Sequence, residues 1–320
     1  MSAERTVLAA GQANPAGVCH SGRVEPVIRP FEPGRDRHAI AELWAAAMPE
    51  RWPWLPAVGR IPAGHVALSD QDVVGFVGTD VGDAGRAGIP LVLVAPEHQR
   101  RGVGTALVIR AVLGLSQGSV HKIGAGSGGL RYLWPGVPRE LTKAVAFFDA
   151  LGWEAGADAL DLVQDLRDYK AEPAVFDRPL GTIAVGGPGD LDEVLAFEEA
   201  VFPNWVRFYR EPGDFLVARD DAGEVVGALR FDGPGADVPV APLLGPDVGS
   251  IGAVGVAPWA NGHGIGSAMV ARAAELLRDA GVRMCHIGWT GRESFYTRLG
   301  FQPWQRYRMV SWPVPHRESW

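Results

Sequence analysis

The sequence is poor in cysteine and in lysine: among 320 residues there are two of the first, Cys19 and Cys285, and three of the second, Lys122, Lys143 and Lys170. Two cysteines cannot build a disulfide framework, so the reading is a cytoplasmic protein with one thiol in an N-terminal tail and one in a strand. No stretch approaches the ~20 consecutive apolar residues that a membrane-crossing helix needs. Met1 to Glu25 has no apolar run of signal-peptide length, and its Gly, Pro, Asn and Ser content predicts a disordered leader over 1–24. Basic clusters are missing too. With 30 basic against 37 acidic residues and a net charge of −7, the composition argues against nucleic acid or membrane as partner and suits a cationic substrate. No metal site is expected.

What is present is globular: 47% hydrophobic and 21% charged residues, in a chain long enough for two domains with separate cores. An internal repeat organises it. Val94-Ala95-Pro96 is followed by Gly102-Val103-Gly104, and Val256-Ala257-Pro258 by Gly264-Ile265-Gly266, with the same Val-to-Gly step in each copy and an offset of 162 positions. A closing element follows each: Phe147-Phe148-Asp149-Ala150-Leu151-Gly152-Trp153 and Phe295-Tyr296-Thr297-Arg298-Leu299-Gly300-Phe301. Upstream, Val27–Pro30 and Thr182–Val185 are strand-like runs that lead into Ala/Leu/Glu-rich helices.

The pattern predicts an N-terminal domain over 25–165, a linker at 166–180 marked by Pro173 and Pro179, and a C-terminal domain over 181–320. In the C-terminal domain it predicts a helix at 188–201, strands at 214–219 and 224–232 around the Asp220-Asp221-Ala222-Gly223 bend, and a strand at 249–257. A helix at 264–280 with Gly281 as its cap, a strand at 282–289, a short helix near Leu299 and final strands follow. The N-terminal domain repeats the order, with strands at 64–69, 72–79 and 88–95, a helix at 102–116, and an extra Gly/Pro-rich loop at 124–138.

A strand that ends in Gly-x-Gly and opens a helix presents free backbone N–H groups, together with about half a positive charge from the helix dipole. That suits a phosphate, and glycine lets the oxygens approach the backbone. A dinucleotide fingerprint would need a further small residue where Leu107 and Met269 stand, and no Gly-Lys-Ser/Thr triplet is present for a P-loop. Here the sequence resembles the GNAT acetyltransferases. Gln99-Arg100-Arg101-Gly102-Val103-Gly104-Thr105 fits their Gln/Arg-x-x-Gly-x-Gly/Ala signature, and Asn261-Gly262-His263-Gly264-Ile265-Gly266-Ser267 fits it with Asn in the first place. Phe295 to Phe301 is similar to their closing motif, in which a Tyr precedes Gly by four residues.

The resemblance, from about Val27 to Trp312, implies two tandem domains of mixed α/β fold, each a splayed sheet flanked by helices. It implies acetyl-CoA as acyl donor, with Val254, Gly255 and Val256 binding pantetheine and thioester, and Gly262 to Ser267 holding the pyrophosphate. Val94 and the Gln99 to Thr105 turn would do the same in the N-terminal domain. The resemblance also implies direct attack of an amine on the thioester, with Tyr296 as general acid. Phe148 stands at the matching N-terminal position, so that domain is expected to be catalytically silent.

The base is open. The 249–257 strand has no carboxylate. His286, on the next strand, is of the residue type suited to proton transfer near neutral pH, and alternation places it with Met284 and Gly288 on one face; a satisfied core histidine is the competing reading. Asp247, Glu198 and Glu199 are further candidates, or plain surface charges. Aromatics at Trp52-Pro53-Trp54, Trp134, Trp205, Tyr209 and Trp289 could line an acceptor site or fill cores. Tandem proteins of the resembled kind include glucosaminide and aminoglycoside N-acetyltransferases and, further off, mycothiol synthase. The expected acceptor is therefore the amine of a small molecule, an amino sugar or aminoglycoside. A peptide-amine acetyltransferase and a CoA-binding pseudoenzyme are the alternatives.

Overall fold

The computed structural model describes residues 26–82, 85–126, 133–177 and 181–315; the leader 1–24, the thiol at Cys19 and the linker residues 178–180 lie outside them. In chain order the strands are β1 (Val27–Pro30), β2 (Ala63–Ser69), β3 (Asp72–Val81), β4 (Arg86–Val94), β5 (Lys122–Ala125), β6 (Val137–Pro138), β7 (Glu154–Ala155) and β8 (Ala159–Asp165). Then come β9 (Thr182–Val185), β10 (Asp214–Arg219), β11 (Val225–Asp232), β12 (Val248–Val256), β13 (Met284–Thr290), β14 (Gln302–Arg308) and β15 (Val310–Pro313). The helices are α1 (Pro33–Ala47), α2 (Val103–Leu115), α3 (Thr142–Ala150), α4 (Leu191–Val201), α5 (Val206–Arg210), α6 (Ala241–Leu244), α7 (Ile265–Asp279) and α8 (Glu293–Thr297).

The strands and helices read from the sequence form with boundaries moved by one to three residues at most places. The end of α7 shows why such stops are legible. Gly281 holds φ +92°, a conformation that costs an L side chain about 1–2 kcal/mol, and its N–H bonds back to the Arg278 carbonyl. Ala280 is the last capping position and Gly281 the residue after it.

Two mixed sheets result. The first runs β1-β2-β3-β4-β5-β15-β7; the second runs β6-β14-β8-β13-β12-β11-β10-β9. The first contains a strand from the far end of the chain, where Ser311, Trp312 and Pro313 pair with Gly124, Ile123 and Lys122. In the second, β8 fills the equivalent place, pairing along β13 from Met284↔Asp165 to Thr290↔Leu160. The compact units are accordingly 1–159 with 306–320, and 160–305. This departs from the sequence-based division at 165 and 181. β8 has the apolar pattern of a final strand for the N-terminal half, and local pattern does not specify which sheet it joins. The expected linker is not a free tether either: Leu166 and Tyr169 are buried in the second unit's core with Leu160 and Leu162.

In each sheet one parallel pair separates. β12 and β13 pair only over Val248↔Met284, Gly249↔Cys285 and Ser250↔His286. Beyond that point β12 follows β11 up to Gly227↔Val256, and β13 follows β8. In the first unit β4 and β5 pair from Arg86↔Lys122 to Ile89↔Ala125, and β4 continues to Val94 beside β3. A strand rises about 3.3 Å per residue, so the six residues from Ser250 to Val256 leave a wedge about 20 Å long with one ladder edge unpaired.

Candidate functional site

The wedge in the second unit ends at a glycine turn. Pro258–Ala260 form a single 3-10 turn, Gly262 and Gly264 take φ +87° and +84°, and α7 begins at Ile265. The first intrahelical bond of α7 runs from the Ala268 N–H to the Gly264 carbonyl, 2.9 Å, so the N–H groups of Ile265, Gly266 and Ser267 have no partner within the helix. No side chain caps this end and no acidic residue sits in its first turn. A helix start without a cap or a carboxylate is one that an anion can complete. Asn261, Gly262 and His263 are exposed, and Val254 and Val256 are half-buried along the unpaired edge.

The first unit repeats the arrangement with the same geometry. Ala106 N–H bonds to the Gly102 carbonyl at 3.0 Å, Gly102 holds φ +90°, and α2 also lacks a cap and an acidic first turn. Arg100 takes φ +61° where the second copy has Gly262, so only the second copy avoids that backbone cost. Arg101 is exposed, Val103 buried, and Thr105 half-buried. The Gln99 amide donates to the Val94 carbonyl, 3.0 Å, at the end of β4.

Short helices close both turns. A Cβ on Gly266 would stand 3.5 Å from the Phe295 ring and 3.5 Å from Val256; one on Gly104 would stand 3.5 Å from the Phe147 ring and from Val94. This matched contact places α8, and therefore Tyr296, next to the glycine turn and the end of β12. Tyr296 is buried between Phe295 (centroids 4.8 Å apart) and Phe301 (6.2 Å), and burial pushes its hydroxyl up to about 12. It stays protonated, as a proton donor, at any ordinary working pH. Phe148, at the matching place in the first unit, is a buried core residue against Trp153 and has no proton to give.

His286 stands at the vertex of the wedge, in register with Ser250. Its Nε2 is 3.2 Å from Asp161 Oδ2 on β8, and the other oxygen of Asp161 accepts the Trp289 backbone N–H at 2.7 Å. Trp304 meets the imidazole edge-on, with centroids 5.9 Å apart. The Met284 side of β13 is covered by Val238, Val240 and Val248. This bonding suits a histidine that ties β8 to β13 as well as one oriented by a carboxylate for proton transfer.

The other carboxylate candidates separate clearly. Asp247 is exposed, and its carbonyl receives the Arg283 N–H; Glu199 is exposed and pairs with Arg210 at 3.2 Å. Glu198 is fully buried, contrary to a surface charge, and desolvation raises its carboxyl to about 8. The signal was in the helix period: Val194, Phe197 and Glu198 fall on one stripe of α4, the buried one. Trp52 and Trp134 pack with Trp44 in the first unit, centroids 5.6 to 6.2 Å apart, and so fill a core. Phe202 and Trp205 stack at 4.7 Å, half-buried, beside Gly255, whose missing Cβ would come within 2.7 Å of the Phe202 ring. Trp289 is exposed, with φ +51°.

Among the described residues no group of three or more His, Cys, Asp or Glu could hold a metal ion, and no helix is long and apolar enough to cross a membrane.

The comparisons with known proteins agree with this geometry. The model of the acetyltransferase (GNAT) family matches twice, at residues 31–153 and 187–301. A mycothiol acetyltransferase of Cellulomonas flavigena is 30% identical over 270 residues, which cover 77% of this chain and 73% of that protein. A GCN5-related glucosamine N-acetyltransferase region of a fungal multidomain GH3 β-N-acetylglucosaminidase superposes with a TM-score of 0.83 at 28% identity, over 93% of this chain; the chain spans 39% of that larger protein. A tandem GNAT protein from the clavulanic acid biosynthesis pathway superposes with a TM-score of 0.63 at 17% identity, over 92% of this chain and 100% of that one. With two splayed sheets, two uncapped glycine turns and a double family match, the chain belongs to the GNAT acetyltransferase family, as a tandem member that transfers an acetyl group from acetyl-CoA to an amine.

Proposed function

We propose that the second unit is the catalytic one and that it acetylates the primary amine of a small molecule, an amino sugar or aminoglycoside being the favoured class. The observation that carries this reading is the conjunction of the unpaired β12 edge, the uncapped turn Asn261–Ser267 and Tyr296 in one unit. Acetyl-CoA would lie with its pyrophosphate on the Gly262–Ser267 turn and its pantetheine arm and thioester along Val254, Gly255 and Val256. The neutral amine attacks the thioester carbon and the C–S bond breaks with its electron pair on sulfur; the nitrogen loses a proton as the thiolate gains one through the Tyr296 hydroxyl, so the tyrosine ends protonated.

The amino-sugar preference rests on two supports. The likeness to the glucosamine N-acetyltransferase region is the first. The second is the stacked Phe202–Trp205 pair on the face of β12 opposite the turn, since aromatic faces suit sugar rings. The first unit keeps its turn but has Phe148 for the acid, which supports a binding role without turnover. Release of free thiol from acetyl-CoA across a panel of amino sugars, aminoglycosides and lysine peptides tests the reading. Amino sugars are expected to lead, and a preference for lysine peptides over every amino sugar would overturn the acceptor class.

A further inference from the structure

Glu198 is a buried titratable group of the second unit that the steps above leave unused. Glu198 reaches from α4 to β12, where its Oε1 would stand 3.4 Å from a Cβ on Gly255. The Tyr209 hydroxyl lies beside this carboxyl group but donates its proton to the Ala253 carbonyl, 2.8 Å away, and both Glu198 oxygens are left without a hydrogen bond. A buried carboxyl with no partner is costly, and a core role alone gives no reason to keep it. Its position is informative. Along β12, Val256 points to Gly266 and Phe295, the side of the glycine turn, whereas Gly255 points to Glu198 and Phe202. Alternation thus puts the carboxyl group across the strand from the donor turn. Ala253, to which Tyr209 is tied, holds φ +45° where the β11–β12 register shifts, so the backbone is bent beside this group.

We infer that Glu198 is the proton acceptor for the incoming amine, set beside the bend in β12 by its place on α4. This rests on the acetyltransfer reading above. The substrate ammonium gives one proton to the Glu198 carboxylate, and the freed nitrogen lone pair forms the new C–N bond. As the C–S bond breaks, its electron pair leaves on sulfur. The nitrogen loses its second proton as the thiolate gains one through Tyr296, and Glu198 returns its proton to solvent. The groups facing the carboxyl from neighbouring elements are few. From α5 there is Tyr209. From β11, Arg230 acts on the Tyr209 hydroxyl, with its guanidinium held by the carbonyls of Phe208, Glu211 and Pro212 and by Asp232. Strand β12 contributes no charge here, and the adjacent Glu199 is paired outward with Arg210.

The test is the pH profile of turnover in the full chain with glucosamine as probe. The unmodified protein should show an acidic limb that rises through about pH 8, where burial places the Glu198 carboxyl. Glu198→Gln should lower kcat at pH 8 by ~10²-fold with the KM for acetyl-CoA unchanged, and the deficit should narrow at higher pH, where solvent supplies free amine. Glu198→Asp should keep the limb at a reduced rate. His286→Ala should leave the midpoint of the limb in place. A Glu198→Gln variant with the parent limb and a kcat within a few-fold overturns the assignment, as does a limb that moves with His286→Ala only. Absence of turnover by the unmodified chain on any amine would instead overturn the acetyltransfer reading, and the proton assignment with it.

Discussion

Tyr296 and Glu198 are two buried acids whose environments push them the same way for different ends. Burial holds Tyr296 near 12, so it is always a donor, and holds Glu198 near 8, so it changes state close to neutrality. Tyr296→Phe removes one hydroxyl from between Phe295 and Phe301 and leaves the packing intact. We expect kcat to fall by ~10²-fold or more with acetyl-CoA affinity little changed; a kcat within a few-fold would reduce the tyrosine to packing. Glu198 also makes a stability prediction of definite sign. Its folded pKa, about 8, is raised above the usual 4.5, so its favourable contribution is fully present below pH 4.5 and is lost as pH rises through 8. Glu198→Gln should therefore raise the Tm relative to the parent at pH 9, and the gap should shrink towards pH 6. Equal gaps at both pH values in thermal denaturation would mean that the carboxyl is not desolvated. The sequence pointed to Tyr296 through a motif with fixed spacing. Glu198 lay in plain view on an apolar stripe, but Glu in a helix reads as solvated unless the stripe is counted.

At the scale of elements, the strand–turn–helix units were legible because each stop has a local cause. Gly264 and Gly281 bracket α7 with positive φ, and both were read as turn positions. Placing valine at Gly264 would force a branched side chain into the left-handed region and crowd the free N–H groups. Turnover of acetyl-CoA should drop at least tenfold while circular dichroism stays that of the parent. The matching change at Gly102 should leave turnover within a few-fold if the first unit is silent. Equal losses from both variants would assign catalysis to both turns. What local pattern did not supply is the wedge itself. Pairing of β12 with β13 stops after Ser250↔His286, although both strands continue, and only the register reveals it. The lack of a carboxylate on β12 was visible in the sequence; that a carboxyl reaches the same strand from α4 depends on tertiary packing.

The exchange of β8 and β15 between the sheets belongs to the whole molecule, and the sequence held no trace of it. Both are short apolar strands of ordinary composition, and the repeat aligns each with its own half. The choice of sheet is made by pairing partners far away in the chain, Ile123 and Gly124 for β15, and Met284 to Thr290 for β8. The consequence is that neither half of the chain carries all the strands of its own sheet. Residues 1–177 lack β15, and residues 181–320 lack β8 together with Leu160, Leu162, Leu166 and Tyr169, which are buried in the second unit's core. Burying four such side chains contributes roughly 1.5–3 kcal/mol each, so their loss is on the scale of a domain's whole stability of about 5–15 kcal/mol. The two fragments, expressed separately, are therefore expected to show no cooperative unfolding and no acetyl-CoA turnover. Mixed or co-expressed, they should exchange strands, restore a cooperative transition and recover activity that depends on Tyr296 in the second fragment. A fragment 181–320 that folds and turns over acetyl-CoA alone would show that the exchanged strand is dispensable and that the second half is self-sufficient.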